Sequence, residues 1–143
     1  MKQIFKILSI FLLGGISYML VEVAYKGKTH WTMLIVGGIC FLLIGAINEI
    51  FPWEMPLALQ CILGGLVTTL VEFIAGCIIN IHLGWDVWDY SDQLFNIMGQ
   101  VCLLFFFYWV VLAGPAIIYE DYIRYCFGEE KPHYTLFKWR KKS

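Results

Sequence analysis

The stretch LGGISYMLVE (residues 13–22) recurs fifty positions later as LGGLVTTLVE (residues 63–72). Six of the ten aligned positions are identical, namely the leading Leu-Gly-Gly and the closing Leu-Val-Glu. Both copies lie inside long apolar segments, and both end on a carboxylate. The recurrence predicts an internal duplication. The paired glycines predict close contacts between helices, because residues without side chains let neighbouring helices approach in a membrane.

The composition indicates a membrane protein. Of the 143 residues, 60% are hydrophobic and 15% are charged, against about 25% charged in an ordinary soluble domain. Four stretches each approach the roughly 20 apolar residues that cross a hydrocarbon core, and they are apolar around the whole circumference of a helix. These predicted spans are residues 4–25, 31–47, 57–81 and 94–114. We expect the first to be a mature helix and not a cleaved leader, because it matches the third.

The second and fourth spans also match, as GGICFLL (residues 37–43) and GQVCLLF (residues 99–105), but at an offset of 62. The second half therefore carries about twelve extra residues, which fall in residues 82–93. Two spans per half make the halves parallel repeats about an axis along the membrane normal. The glycines expected at helix contacts are Gly14, Gly15, Gly37, Gly38, Gly64, Gly65 and Gly99.

The predicted fold is all-α: a four-transmembrane-helix bundle built from two parallel helical-hairpin repeats, plus a short C-terminal interfacial helix. Repeat one is residues 4–50 and repeat two is residues 57–114, within a single integral membrane domain (1–143). Gly114-Pro115 should kink or end span four, leaving a cytoplasmic tail at 115–143. In that tail, residues 116–128 form the interfacial helix, with an i,i+4 pair between Glu120 and Arg124.

The basic residues predict the orientation. Eight of the ten lysines and arginines lie before the first span or after the fourth, and two lie in the first connection. The positive-inside rule therefore puts both termini in the cytoplasm.

Five polar residues converge on the predicted outer half of the bundle, where ionisable groups are costly and so are candidates for function. If the halves are related by a twofold, Glu22 and Glu72 face one cavity. Two carboxylates at low dielectric cannot both ionise without a counter-charge, so a proton, a cation or a cationic solute is expected there. Alternatively, Glu22 reaches the headgroups and Glu72 bonds to Gln100 or Thr68. The pocket set is Glu22, Glu72, Asn80, Asn96 and Gln100, the last two sharing a face at the start of span four.

Two further polar groups flank the bundle. The outer-loop set is His30, Trp85, Asp86, Trp88 and Asp89. An interfacial aromatic belt is favoured there over a Ca²⁺ site, because no EF-hand spacing appears. The cytoplasmic-side set is Asn48, Glu49 and Gln60, interpreted as a capped interfacial turn in which Glu49 pairs with a tail cation such as Arg124. The three histidines are too scattered for a zinc pattern, so no metal is expected; catalytic residues and cofactors stay open.

Several chemistries are disfavoured by the sequence. The five cysteines form no CxxC pair, which argues against thiol redox chemistry. No GxxxxGK[ST] motif occurs, so the chain is not an ATPase. The basic C-terminal patch is too short for nucleic acid and suits anionic lipid headgroups.

Several longer strings resemble one bacterial family. GGISYMLVEV, VEFIAGCIINIHLGWDVWDYS and FGEEKPHY are similar to the CmpB-type ABC transporter permease family of small bacterial multi-span membrane proteins. The resemblance covers nearly the whole chain and implies a protein of the bacterial cytoplasmic membrane that acts in transport. A transport role for four spans would require a homo-oligomer or larger partners, including a separate ATPase.

Three function classes stay open. The first is a transport protein or permease subunit with an outward-facing acidic pocket. The second is a small homo-oligomeric ion channel or carrier that uses Glu22 and Glu72. The third, a membrane enzyme, would act on a lipid or isoprenoid substrate with Glu22, Glu72, His30 and Asp86 as acid and base groups; an enzyme is the less favoured reading.

Overall fold

The computed structural model describes residues 2–46 and 56–128, which contain four α-helices and no β-strand. The helices are α1 (Lys2–Lys26), α2 (Thr32–Gly45), α3 (Leu57–Gly76) and α4 (Leu103–Cys126), and α3 continues as a π-helix over Cys77–His82. Three are long and apolar enough to cross a membrane: Lys2–Lys26, Leu57–His82 and Leu103–Cys126. The predicted all-α, four-helix composition is confirmed, although α2 has only 14 residues.

The fourth helix is displaced from its predicted position. It begins at Leu103, not at residue 94, and it passes through Pro115 to end at Cys126. The later start follows from positive φ angles at Phe95, Met98 and Gly99, which do not fit a helix. The expected helical face shared by Asn96 and Gln100 is therefore wrong, and Gly99 lies in a turn instead of a helix contact.

The far end of α4 also differs from the prediction. Proline is tolerated inside membrane helices where neighbouring groups satisfy the freed carbonyl, and Pro115 lies inside α4. Ala113 and Ile117 pack with Ile44 on both sides of this proline. Residues 116–126 therefore extend α4 and do not form a separate interfacial helix. The predicted pair between Glu120 and Arg124 is confirmed.

The repeated glycines hold each helix against the next one. A Cβ added at Gly15 would overlap the carbonyl oxygen of Leu34 in α2. A Cβ at Gly65 would overlap Val110 in α4 and lie 3.0 Å from its backbone nitrogen. The predicted helix contacts are thus confirmed for the three glycine pairs. The two hairpins use equivalent glycines in the same way, while the duplication itself stays a prediction.

The helices alternate in direction, which gives the bundle two distinct ends. At the loop end, the ring of Tyr25 lies 5.9 Å from that of Phe105. At the terminal end, the ring of Phe5 lies 5.9 Å from that of Phe127. Among the described residues, α2 contacts all three other helices, α1 touches α4 in a few places, and α1 does not contact α3. A seam therefore remains between α1 and α4.

The loop of residues 83–102 folds inward at the loop end and completes the core. Trp88 is only 6% exposed, and Tyr90 and Cys102 are buried beside Met33 and Ile79. Trp88 Nε1 donates to the carbonyl oxygen of residue 100 at 2.9 Å. The aromatic belt expected in this loop is therefore wrong for Trp88, which packs in the protein interior.

Candidate functional site

Glu72 is the most enclosed acidic group near the loop end. It is 2% exposed, and both of its carboxyl oxygens are engaged. The Tyr90 hydroxyl lies 2.9 Å from Oε1, and Trp109 Nε1 donates to Oε2 at 2.8 Å. The alternative partners considered from sequence, Gln100 and Thr68, are not its hydrogen-bond partners in this structure. Sequence reasoning missed both Tyr90 and Trp109.

The glycine contact explains how Trp109 reaches Glu72. Glu72 lies seven residues after Gly65, two turns further along the same face of α3. Gly65 brings α4 close at Val110, the residue next to Trp109. Side chains on a helix lean towards its N-terminus, and the N-terminus of α4 is at the loop end. The Trp109 indole therefore points towards Glu72.

Tyr90 is held as a neutral donor. Burial raises the pKa of the Tyr90 hydroxyl, and the neighbouring charge of Glu72 raises it further. Its ring stacks on Phe105 with 4.6 Å between centroids. The phenol therefore keeps its proton, and its oxygen stays next to Glu72.

Two cavities lie along the seam between α1 and α4. The first, the aromatic cavity, has a volume of about 560 Å³ and is lined by Glu22, Lys26 and six aromatic side chains. These six are Tyr18, Tyr25, Tyr90, Phe105, Tyr108 and Trp109. The second, the apolar cavity, has a volume of about 280 Å³ and lies among residues such as Gly14, Phe41, Leu112 and Ala116. Tyr18 and Trp109, whose rings stack with 5.4 Å between centroids, line both cavities.

Glu22 lines the same cavity as the two aromatic partners of Glu72. Glu22 is partly buried and lines the aromatic cavity, as do Tyr90 and Trp109. Glu72 lies behind that wall, hydrogen-bonded to the same two residues. Of the two carboxylates, only that of Glu22 is among the residues that line the aromatic cavity.

The other predicted pocket residues organise the loop. Asn80 Nδ2 donates to Gln100 Oε1 at 2.8 Å, and Asn80 Oδ1 accepts from the backbone N–H of Val87 at 2.7 Å. Asn96 donates to the carbonyl oxygen of Gln93 at 2.8 Å. None of the three amides lines either described cavity. Their place is in the hydrogen bonding that folds residues 83–102.

The outer-loop set is spread over the surface and the core. His30 Nδ1 lies 2.8 Å from Thr32 Oγ1, at the start of α2, and its ring is 6.1 Å from that of Trp85. Asp86 and Asp89 are exposed, and Asp89 accepts from the Ser91 N–H at 2.9 Å. In the described part of the chain, no group of three His, Cys, Asp or Glu side chains could hold a metal.

Among the described residues, the terminal end has three buried polar side chains, and the sequence had already placed Gln60 on this side of the membrane. Gln60 is buried at the start of α3, and Glu120 and Asp121 are buried in α4. Arg124 pairs with Glu120. Sequence reasoning put Glu120 on an interfacial helix, because the continuation of α4 past Pro115 has no sequence signal of its own. Asn48 and Glu49 lie outside the described residues.

The sequence matches the family model described as "Putative ABC-transporter type IV" over residues 4–129. This match spans all four helices, including the three that are long and apolar enough to cross a membrane. No curated protein and no solved structure matches the chain. The chain therefore belongs to this ABC-transporter type IV family of membrane proteins, as its sequence motifs predicted.

Proposed function

We propose that this protein is a membrane-embedded transport subunit whose substrate binds at the seam between α1 and α4. Its family supports the transport class. The observation that carries the site is the buried Glu72 carboxyl, whose two partners, Tyr90 and Trp109, form the wall of the aromatic cavity. Glu22, on the cavity side of that wall, completes an acidic pocket. The positive-inside rule makes the loop end, and so the pocket, face outward.

The chemistry of Glu72 suits a coupling role. A buried carboxylate costs several kcal/mol unless it is compensated, and intramembrane ionisable groups are characteristic of ion and substrate pathways. An indole N–H can only donate, whereas a phenol hydroxyl can donate or accept. Glu72 can therefore gain a proton at Oε1 and use that new O–H to donate a hydrogen bond to the Tyr90 oxygen, while Oε2 keeps its bond to Trp109. Protonation would thus reorient the Tyr90 hydroxyl in the cavity wall.

Energy for transport would come from another polypeptide or domain. The sequence contains no GxxxxGK[ST] motif with which to bind the phosphates of ATP. A permease subunit would therefore assemble with an ATPase. The seam between α1 and α4 is a place where further transmembrane helices, from a partner or a second copy, would complete the substrate path.

The test begins with the tagged protein, extracted from its native membrane into lipid nanodiscs. We expect a P-loop ATPase to co-purify and to hydrolyse ATP in the complex. Glu72→Gln should lower that ATP turnover at least tenfold. Asp92→Asn removes a charge from an exposed loop position at the same end and should leave turnover unchanged.

Reconstitution of this chain without any partner distinguishes a permease subunit from a channel. Liposomes containing only this chain and a trapped pH dye should show no proton flux above that of empty liposomes. A flux that Glu72→Gln abolishes would replace the permease proposal with a channel or carrier. If the Glu72→Gln complex folds and its ATP turnover is normal, the acidic pocket has no role in transport. Glu72→Asp, which keeps the charge but shortens the side chain, replaces Glu72→Gln in the ATP-turnover test if the glutamine variant does not fold.

A further inference from the structure

The two cavities are lined by chemically different residues, and together they fit a ligand whose two ends differ in the same way. We infer that the seam binds a single-chain amphiphile with a positively charged nitrogen head, the head in the aromatic cavity and the chain in the apolar cavity. This inference rests on the proposed function and names its substrate class.

The two cavities adjoin, and together they make up one groove along the seam. Both are lined by Tyr18, Val21, Trp109 and Leu112, so they meet at the stacked pair Tyr18 and Trp109. Their volumes, about 560 and 280 Å³, together fall within the range of about 300–1,000 Å³ that holds a small-molecule ligand. The groove runs along the seam from the loop end towards the middle of the bundle.

The lining of the aromatic cavity favours an organic cation. Aromatic faces attract ammonium groups, and cages of such rings recognise quaternary ammonium ligands. Glu22 supplies an opposite charge on the cavity surface, and Glu72 lies directly behind the rings of Tyr90 and Trp109. A metal ion would need several oxygen, nitrogen or sulfur ligands, and the described residues offer no such group here. A weakly hydrated nitrogen cation fits this lining better.

Lys26 also lines the aromatic cavity, but it does not reverse the preference of that cavity for a cation. Lys26 is one turn beyond Glu22 on α1 and is exposed, whereas Glu22 is partly buried. A long lysine side chain carries its ammonium out to water, where salt screens it. Of the two charges, that of the exposed Lys26 is therefore the more strongly screened by water and salt.

The apolar cavity accounts for the chain of the amphiphile. No charged side chain is among its described lining residues, and the small side chains of Ser17, Ala113 and Ala116 are part of its lining. A hydrated ion would gain nothing from this space. Because α1 and α4 touch in only a few places, an alkyl chain could enter the groove sideways from the lipid. An amphiphile uses both parts of the groove, whereas a simple ion uses one.

The test is photolabelling of the full-length protein in maltoside micelles. The probe is a dodecyltrimethylammonium ion with a diazirine at the end of its chain, and the matched probes carry a hydroxyl or a sulfate head on the same chain. Labelled peptides are located by mass spectrometry. We expect the cationic probe to label the parts of α1 and α4 around the apolar cavity at least tenfold more than either matched probe.

Paired variants test the two ends of the ligand separately. Glu22→Gln should lower cationic labelling about tenfold, whereas Asp92→Asn, at an exposed position of equal charge, should not. Ala116→Leu fills the apolar cavity and should lower labelling by all three probes. Ala24→Leu makes the same change at an exposed position of α1 and should not lower it. Thermal unfolding checks each variant, and Ser17→Leu is the second cavity-filling variant if Ala116→Leu does not fold.

Two results would overturn the inference: equal labelling by the three head groups, or labelling spread over the outer faces of the helices. Failure here is distinguishable from failure of the proposed function. If ATP turnover depends on Glu72 while the three head groups label equally, the permease proposal is supported and the amphiphile proposal is refuted. If the labelling is as expected but no ATPase associates, the amphiphile site is supported and the permease function is refuted.

Discussion

Gly15 tests the claim that the repeated glycines hold the helices together. In Gly15→Ala, the new methyl group would overlap the carbonyl oxygen of Leu34 and lie 3.1 Å from its carbonyl carbon. This neighbour is backbone, so it cannot rotate away as a side chain would, and α1 and α2 must separate. A gap of about 0.5–1 Å removes a quarter to a half of each dispersion contact that it opens. Overpacking of this kind costs about 1–3 kcal/mol, and we expect about 2 kcal/mol.

Gly114→Ala is the matched control. Gly114 is also a buried helical glycine, but an added Cβ would meet only Cys61 Sγ, at 3.4 Å, which is an ordinary contact. Its free energy of unfolding should stay within about 1 kcal/mol of wild type. The assay is unfolding in mixed micelles with a rising fraction of dodecyl sulfate, followed by helical circular dichroism. Equal stability of the two variants would refute the close approach of α1 and α2 at Gly15.

Three further predictions follow from single contacts. Asn80→Ala should unpair the partly buried Val87 N–H and speed proteolysis within residues 83–102, because an unpaired group costs up to about 1–3 kcal/mol when buried; unchanged protection would contradict this. Trp109→Phe should destabilise by about 1–3 kcal/mol in the same unfolding assay, whereas Trp31→Phe, at a 59% exposed position, should have no clear effect. Cys126, exposed at the terminal end, should react with an impermeant maleimide only from the cytoplasmic side; reaction from outside would reverse the proposed orientation.

The sequence determined which segments are helical where hydropathy and periodicity act locally. The first and third spans were located within two residues at each end, because an apolar run of about 20 residues has one stable form in lipid. The glycine pairs were identified as helix contacts for an equally local reason, since residues with little or no side chain permit that approach. The pattern also indicated Glu22 and Glu72 as the costly groups. Those inferences needed no knowledge of which helices are neighbours.

Only the tertiary structure decided what lies around those groups. The apolar run after residue 93 reads as a helix from sequence, yet side-chain bonds from Asn96 and Gln100 to the backbone hold part of it in a loop. Hydropathy does not distinguish a tryptophan at a membrane surface from Trp88 in the core. The partners of Glu72 come from positions 18 and 37 residues away, so no spacing rule could pair them. The carboxylate that closes LGGLVTTLVE was visible in the sequence, but its aromatic partners are set by long-range packing of α3 against α4 and the inward loop.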